Sequence, residues 1–526
     1  MESIVEQNLG EIFYENLKAI GDTEMIAMIN KDNNEKISYR ELFVASLKTA
    51  CKLKDLGIKE GDVVGIVSDN RLEYIVPVLA CFYLRAIIHP TNSSYHLTEL
   101  KHAYSKSKPK IIFTSNDEIG NVVQLQNETD YIKEIINFDD NYLDIVEWGA
   151  ILESIEKSSD CDKKTAAIVS SSGTTGHPKS VVLTQGNLKF TMSNFKYLFV
   201  TLEFVIINAF RFRYLILSYS SESTGIGILP FYHMFGLMQT ITILNCRAKI
   251  VILSKFEPVS FCEIIEKYNV HLLLIVPTIA DFLAKHPIVD KYNFKSVNDI
   301  VCAGAALGYE IQTILEKKFN CAVRQGYGMT ETGVATVCVL GKKCKLGSCG
   351  TPVPGVEIEV IDAQTKNTLG PNEPGEICVK SVQVMKEYLG NPEATRATID
   401  ERGFLHTGDI GYFDEDGDFF IVDRLKDLIK YKSFQVSPAE LEDVLKSHNE
   451  ITDAGVIGVP DGRAGELPMA FVVKVKNCKL SEQNVIDYVA ERISVHKQLH
   501  GGVRFVDDLP KNSTGKLLRK KLREML

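Results

Sequence analysis

The chain has 526 residues and a mass of 58.7 kDa, too long for one core of ~100–200 residues, so two or more domains are expected. Hydrophobic residues make up 45% and charged residues 24%, which is too apolar for a disordered chain. The formal net charge of −9 argues against a dedicated nucleic-acid binder, which carries a basic face, but not against an anionic substrate, for which a few placed cations suffice.

The N-terminal MESIVEQNLGE carries acids and no apolar core, so it does not read as a signal peptide. The nearest candidate for a membrane span, Tyr197–Tyr219, contains Glu203, Arg211 and Arg213, which argues against a transmembrane segment. The 12 cysteines are scattered, with no CxxC, and Cys338, Cys344 and Cys349 lack zinc-ligand spacing. Reduced thiols in an intracellular protein are the expectation.

Buried strands are expected at DVVGIV (62–67), KIIFTS (110–115), AAIVSSSG (166–173), AKIVILS (248–254), HLLLIVPT (271–278) and DIVCAGAAL (299–307). Helical spacing appears between them, in PVSFCEIIEKYN (258–269) and YEIQTILEKKFN (309–320). This alternation predicts α/β layering with mostly parallel sheets in a large, multi-layer N-terminal domain. From about Gly347, short strands with Gly/Pro turns predict a β-rich subdomain. After DRLKD (423–427), a capped helix opening at Ser437-Pro438 with Glu440 as the capping-box acid, strands at 453–459, 469–475 and 503–506, a helix at 481–493 and a basic last helix predict a small α+β C-terminal domain. The expected division is 1–424 and 425–526, with the boundary near Lys426.

The strongest chemical signal follows a predicted strand: Ser170, Ser171, Ser172, Gly173, Thr174, Thr175, Gly176, His177, Pro178 and Lys179. Glycines let backbone approach an anion, hydroxyls and amides donate to phosphate oxygens, and Lys179 adds a cation. Pro178 before the lysine excludes a Walker A loop. Further along, glycines around Tyr327 free it to stack on a base, Thr330 can donate to a phosphate, and Glu331 is a hard oxygen ligand suited to Mg²⁺. Asp409 is an acceptor suited to ribose hydroxyls, or else one half of a surface ion pair with Arg424. Lys516, standing alone before LLRKKLRE, reads as a solvated helix start.

The loop resembles the phosphate-binding signature of the adenylate-forming superfamily of acyl-CoA synthetases, coumarate–CoA ligases and beetle luciferases. LPFYHMFG (229–236), GAAL (304–307), RQGYGMTETG (324–333), YLGNPEAT (388–395), FLHTGDIGYFDEDG (404–417), DRLKDLIKYKSFQVSPAELE (423–442) and LPKNSTGK (509–516) follow in the superfamily's order. The match is closest to the insect luciferase-like and coumarate-ligase-like branch.

The resemblance implies an ATP- and Mg²⁺-dependent carboxylic acid–CoA ligase that makes an acyl-adenylate and then a thioester. Medium- or long-chain fatty acids are the favoured substrates, with aryl-propenoic acids next. It implies Lys516 as the adenylating lysine and Thr330, His233 and Lys430 as further catalytic groups. ATP and CoA contacts fall to the loop Ser171–Gly176 with Lys179, to Gly304, Ala305 and Ala306, to Gln325, Gly326, Tyr327, Gly328 and Thr330, to Asp409 and Arg424, and to Lys432 and Ser433. Glu331 is the implied Mg²⁺ ligand. The implied acyl pocket is lined by His233, Phe235, Ala303, Val334 and Ala335, with His233 ending a strand. The small domain is implied to rotate about Lys426, exchanging the Lys516 face for that of Lys430, Lys432 and Ser433. A monomer or weak homodimer in the cytoplasm or peroxisome is expected; Glu524-Met525-Leu526 is not an SKL-type address.

Three departures stand out. Ser433 and Ser180 occupy positions that are commonly glycine in this branch, and a side chain at 433 crowds the pantetheine path. Ala303, Val334 and Ala335 make the pocket more apolar than a luciferin site. The segment 200–220 is extra, lacks Gly, Pro, Asp and Lys, and reads as a translated retained intron or else a lineage-specific hairpin or helix. A luciferase-type monooxygenase and an inactive adenylate-binding relative are the alternative functions.

Overall fold

The computed structural model describes the chain apart from residues 1–6, 22–23, 141–160, 172–177, 199–200, 207–211, 218–222, 340–343, 433, 477 and 513–514, and describes 196–198, 201–206, 212–217 and 435 as backbone alone.

Apolar runs at Val63–Val67, Ile87–Thr91, Ile111–Thr114 and Thr165–Ser170 form the centre of a seven-stranded sheet. Its interior pairs are parallel: Val63–Val67 with Ile87–Thr91 and with Ile111–Thr114, Ile111–Thr114 with Glu134–Asn137, and Ile87–Thr91 with Thr165–Ser170. Helices Tyr39–Asp55 and Ile75–Leu84 supply the apolar side chains that join the core around this sheet. At one edge the sheet turns antiparallel. Thr165–Ser170 runs into Ser180–Thr184 as a hairpin, and Glu387–Tyr388 pairs onto the far side of Ser180–Thr184. Residues 171–179 thus join two antiparallel strands.

A second core is built around the parallel strands Leu272–Ile275, Asp299–Cys302 and Ala322–Met329, covered by Pro258–Lys267 and Tyr309–Phe319. Ala322–Met329 then reverses through Thr330–Thr332 into Gly333–Val337. Gly328 is required at that reversal, because a Cβ there would sit 2.1 Å from the Gly333 carbonyl oxygen. The β-rich subdomain is a four-stranded antiparallel sheet of Val356–Ile361, Gly375–Ser381, Leu405–Phe413 and Phe419–Arg424.

The C-terminal unit has its own sheet of Ile429–Tyr431, Phe434–Val436, Ile451–Asp461, Gly465–Lys474 and Val503–Phe505, and its own core. Ser437 caps helix Pro438–Lys446 by accepting from the Glu440 amide at 3.2 Å. The expected capping box does not close, because the Glu440 carboxylate is instead bonded by Lys497 at 2.8 Å. Within 200–220, Thr201–Ile206 and Phe212–Leu217 form an antiparallel pair in a sheet separate from the others. The segment is therefore a hairpin.

Among the described residues, no helix is long and apolar enough to cross a membrane.

Candidate active site

Asp409 and Arg424 are register partners on Leu405–Phe413 and Phe419–Arg424, which sets them face to face. Arg424 Nε lies 3.0 Å from Asp409 Oδ1, and the Tyr327 hydroxyl donates to Asp409 Oδ2 at 2.8 Å. The carboxylate is buried and follows an irregular point of strand Leu405–Phe413 at Thr407-Gly408, where the pairing register with Gly375–Ser381 shifts and Gly408 has φ +68°. Tyr327 packs its ring on the main core and points its hydroxyl at Asp409, so it is engaged rather than exposed.

Glu331 sits at the Thr330–Thr332 reversal, buried, and its Oε1 accepts from the Tyr388 hydroxyl at 2.9 Å. Burial raises its pKa while the Tyr388 bond and the charges of Arg424 and Lys179 pull it down. Lys179 Nζ lies 4.4 Å from the centre of the Tyr388 ring. Tyr388 carries this link because Glu387–Tyr388 pairs with Ser180–Thr184, directly beyond Lys179. The Ser171 amide donates to the Lys179 carbonyl at 2.8 Å and closes the base of the hairpin. Ser172, Gly173, Thr174, Thr175 and Gly176 lie outside the described residues.

Lys516 comes from the small unit and reaches the same cluster. Burial depresses its pKa to about 8, and Arg424 and Arg519 push it further down while Asp409 and Asp427 oppose them. Lys426 is held below its ordinary value by burial and then by Arg424 and Lys179. The loop before Lys516 packs closely: Gly515 has φ +78°, and a Cβ there would lie 2.6 Å from Thr278 of the large unit. Arg519 anchors this segment from behind, with its Nη2 2.8 Å from Glu442 Oε1. Four cations, Lys179, Arg424, Lys426 and Lys516, therefore act on one region that holds the carboxylates of Asp409, Asp427 and Glu331.

Other expected residues occupy different positions. His233 does not end a strand; it is the N-cap residue of helix Met234–Asn245, with its amide donating to the Pro230 carbonyl at 3.0 Å. Burial lowers its pKa to about 4, so the imidazole is neutral at physiological pH. Phe235 stands 6.0 Å from Phe195 and touches both large cores. Ala335 is fully buried in the main core, whereas Val334 is half-buried and its carbonyl accepts from Gln383. Ala303 lies beside Gly326, with its Cβ 3.9 Å from where a Gly326 Cβ would stand.

Gly304, at φ +92°, Ala305 and Ala306 form an exposed turn, and Gln325 holds its far end by accepting from the Leu307 amide at 3.0 Å. Gln325 is therefore a positioning group for that turn. Thr330 is half-buried at the reversal. Lys430 and Lys432 are exposed on the small unit. The Lys430 amide donates to Glu466 at 2.8 Å, and the Lys432 ammonium lies 5.0 Å from the Tyr431 ring. The structure thus brings Lys516, not Lys430, to Asp409; Ser433 is outside the described residues.

Sequence reasoning passed over Tyr388, Asp423, Arg519 and Thr278. Tyr388 lies in a motif already singled out, and its weak signal was a tyrosine preceding Leu-Gly-Asn-Pro.

Residues 18–389 match the AMP-binding enzyme family, and residues 440–516 match the AMP-binding enzyme C-terminal domain. The chain belongs to the AMP-binding enzyme family. It is an adenylate-forming enzyme of the AMP-forming acid–thiol ligase class. It is 39% identical to luciferin 4-monooxygenase of Luciola mingrelica, over 95% of this chain and 91% of the relative. It is 37% identical to 4-coumarate–CoA ligase 1 of Petroselinum crispum, over 97% of this chain and 92% of the relative. Among solved structures, ATP-bound MatB from Rhodopseudomonas palustris superposes with a TM-score of 0.85 at 26% identity, covering 99% of both chains. Apo MatB gives 0.75 at the same identity and coverage. The o-succinylbenzoate–CoA synthetase of Bacillus subtilis in complex with its acyl-adenylate gives 0.80 at 27% identity, covering 97% of both.

Proposed function

We propose that this AMP-binding enzyme joins a carboxylic acid to coenzyme A through an acyl-adenylate, using ATP. The observation that carries this reading is the convergence of Lys179, Arg424, Lys426 and Lys516 around Asp409 and Glu331. Burial and neighbouring cations hold Lys426 and Lys516 below the ordinary lysine value, and a polyanion such as a nucleoside triphosphate relieves that repulsion on binding.

In the first step a carboxylate oxygen of the acid attacks the α-phosphorus of ATP, and the bond to the β-phosphate breaks, releasing pyrophosphate. Asp409 accepts from the ribose hydroxyls, with Arg424 beside it, and Tyr327 holds the Asp409 carboxylate in place. The amides and hydroxyls of 171–176, with Lys179, hold the outer phosphates. Lys516 places its ammonium between acid and α-phosphate, where negative charge accumulates in the transition state. Glu331 fits a Mg²⁺ ligand: it is one buried carboxylate with Oε1 taken by Tyr388, next to the phosphate-binding cations, and Mg²⁺ is commonly held by one or two carboxylates plus phosphate oxygens. When bound, the ion neutralises phosphate charge. Neutral His233 orients the acid without adding charge.

In the second step the CoA thiolate attacks the carbonyl carbon and AMP leaves. Rotation about Lys426 turns the Lys430, Lys432 and Ser433 face into the cleft for this step. The better superposition on ATP-bound than on apo MatB supports reading the present arrangement as the adenylating one. Phe235, Val334 and Ala303 favour an apolar acyl group, a medium- or long-chain fatty acid before an aryl-propenoic acid.

A panel of these acids assayed for CoA-dependent AMP release tests the proposal, with turnover expected on at least one fatty acid. AMP release with no acid of the panel contradicts it. The likeness to luciferin 4-monooxygenases supports a second reading, oxidation of a luciferyl adenylate, which requires light emission with luciferin, ATP and O₂.

A further inference from the structure

The β-rich subdomain carries a side-chain cluster that the ligase reaction does not use. Glu376 and Cys378 project from the same face of strand Gly375–Ser381, two residues apart, and His406 faces them from the neighbouring antiparallel strand, as the Cys378–His406 register dictates. His406 Nδ1 lies 3.1 Å from Glu376 Oε2 and 3.5 Å from Cys378 Sγ. One ligand atom from each residue falls within 4.8 Å of the others. Tetrahedral zinc with nitrogen and oxygen ligands at ~2.0–2.1 Å and sulfur at ~2.3 Å places its ligand atoms about 3.3–3.6 Å apart. The observed separations already lie close to that spacing.

The surroundings also suit an ion. Glu376 and Cys378 are buried, while His406 is partly open at 22% side-chain exposure, which leaves a way in. Asp400 Oδ2 stands 3.8 Å from the far nitrogen, Nε2, on the side where a metal-bound histidine ordinarily finds a carboxylate. That partner favours the tautomer with its proton on Nε2 and its lone pair on Nδ1, inside the cluster. Lys366 lies 3.7 Å from Glu376 Oε2, but it is largely exposed and can swing away. The other Glu376 oxygen, Oε1, accepts from the Gly408 amide at 3.3 Å, and Thr407 donates to the Ile377 carbonyl at 2.7 Å. The cluster therefore adjoins the register shift at Thr407-Gly408 that precedes Asp409.

We propose that Glu376, Cys378 and His406 form a binding site for one divalent transition ion of zinc type, with a fourth position taken by water. The ion displaces the thiol proton to solvent and forms the metal–sulfur bond; no oxidation state changes. Because Oε2 turns to the ion while Oε1 stays on Gly408, loading ties the two strands together and leaves the backbone ahead of Asp409 in place.

Titration of the chelator-treated full chain with Co²⁺ reads this directly, without any assay of activity. One equivalent should bind with a thiolate-to-cobalt charge-transfer absorption, and Zn²⁺ should displace it. Cys378→Ser should lose that absorption. His406→Gln, at a partly exposed position, and Asp400→Asn should each weaken binding by about 10-fold or more. Cys478→Ser should change nothing. An absorption that survives in Cys378→Ser, binding unchanged in both His406→Gln and Asp400→Asn, or no Co²⁺–thiolate absorption in the parent chain overturns the proposal.

Discussion

Lys516 is desolvated at the cation cluster, and its neighbours set its protonation state. In isolation it precedes a basic run and reads as solvated charge; only its place in an ordered set of motifs marks it. The structure adds its electrostatic state, because burial and the cations around it hold its pKa near 8. In the role proposed for Lys516 the protonated form opposes the developing negative charge, and that form is lost as pH rises through the folded value. The free enzyme's kcat/KM for adenylation should therefore fall above about pH 8, well below the ~10.4 of an ordinary lysine. Lys516→Arg should be slower but should keep its residual rate to higher pH, and a pH–rate profile of ATP–pyrophosphate exchange checks both. Asp409 and Arg424 were legible for the same reason as Lys516, as a pair within motifs. Tyr388 was not, because its meaning comes from the pairing of Glu387–Tyr388 with Ser180–Thr184, about two hundred positions earlier in the chain. His233 was placed on the right segment but at the end of the wrong element, since the helix that begins after it reads as equally apolar either way.

At the scale of elements, the central strands were legible because each is a short apolar run bounded by turns, and they appear at Val63–Val67, Ile111–Thr114, Leu272–Ile275 and Asp299–Cys302. Pairing direction was less legible. Ser180–Thr184, five residues long, is not among the strands expected from the sequence, yet it pairs antiparallel with Thr165–Ser170. Register and partner depend on contacts across the whole chain, which local periodicity does not encode. The extra hairpin of Thr201–Ile206 and Phe212–Leu217 shares no sheet with the rest of the large domain. Deleting 200–220 should therefore leave the melting temperature within about 4 °C, the effect of roughly 1 kcal/mol in a large domain. It should also leave adenylation intact. A much larger drop, measured by calorimetry, would show that the hairpin is integral to the fold. Transcript sequencing addresses its origin, and dominant reads carrying the segment reject a retained intron.

Across the whole molecule, two units meet at the cation cluster, and a few contacts hold them in register. Asp423, just before the proposed hinge at Lys426, accepts from the Ser437 hydroxyl at 2.7 Å and from the Ala439 amide at 2.9 Å, both in the small unit. Gly308 and Asp443 face each other across the same boundary, with the carboxylate 3.2 Å from a Cβ on Gly308. On the proposed rotation about Lys426, the Asp423 bonds favour the arrangement in which Lys516 is docked and break as the small unit turns. Asp423→Ala should lower ATP–pyrophosphate exchange by about 10-fold, the equivalent of ~1.4 kcal/mol, while transfer from preformed acyl-adenylate to CoA holds or rises. Equal losses in both steps would point to a folding defect instead. The change in texture near Lys426 suggests a division there, but it does not say which face of the small unit docks, because both faces carry lysines.

The central claim is that Lys516 serves bond formation to the α-phosphate and has no part in the thioester step. The most direct measurement compares the two half-reactions in Lys516→Ala, as ATP–pyrophosphate exchange and as CoA transfer from supplied acyl-AMP. The prediction is a loss of several orders of magnitude in exchange with near-parental transfer. Parallel losses in both, or undiminished exchange, would contradict the account.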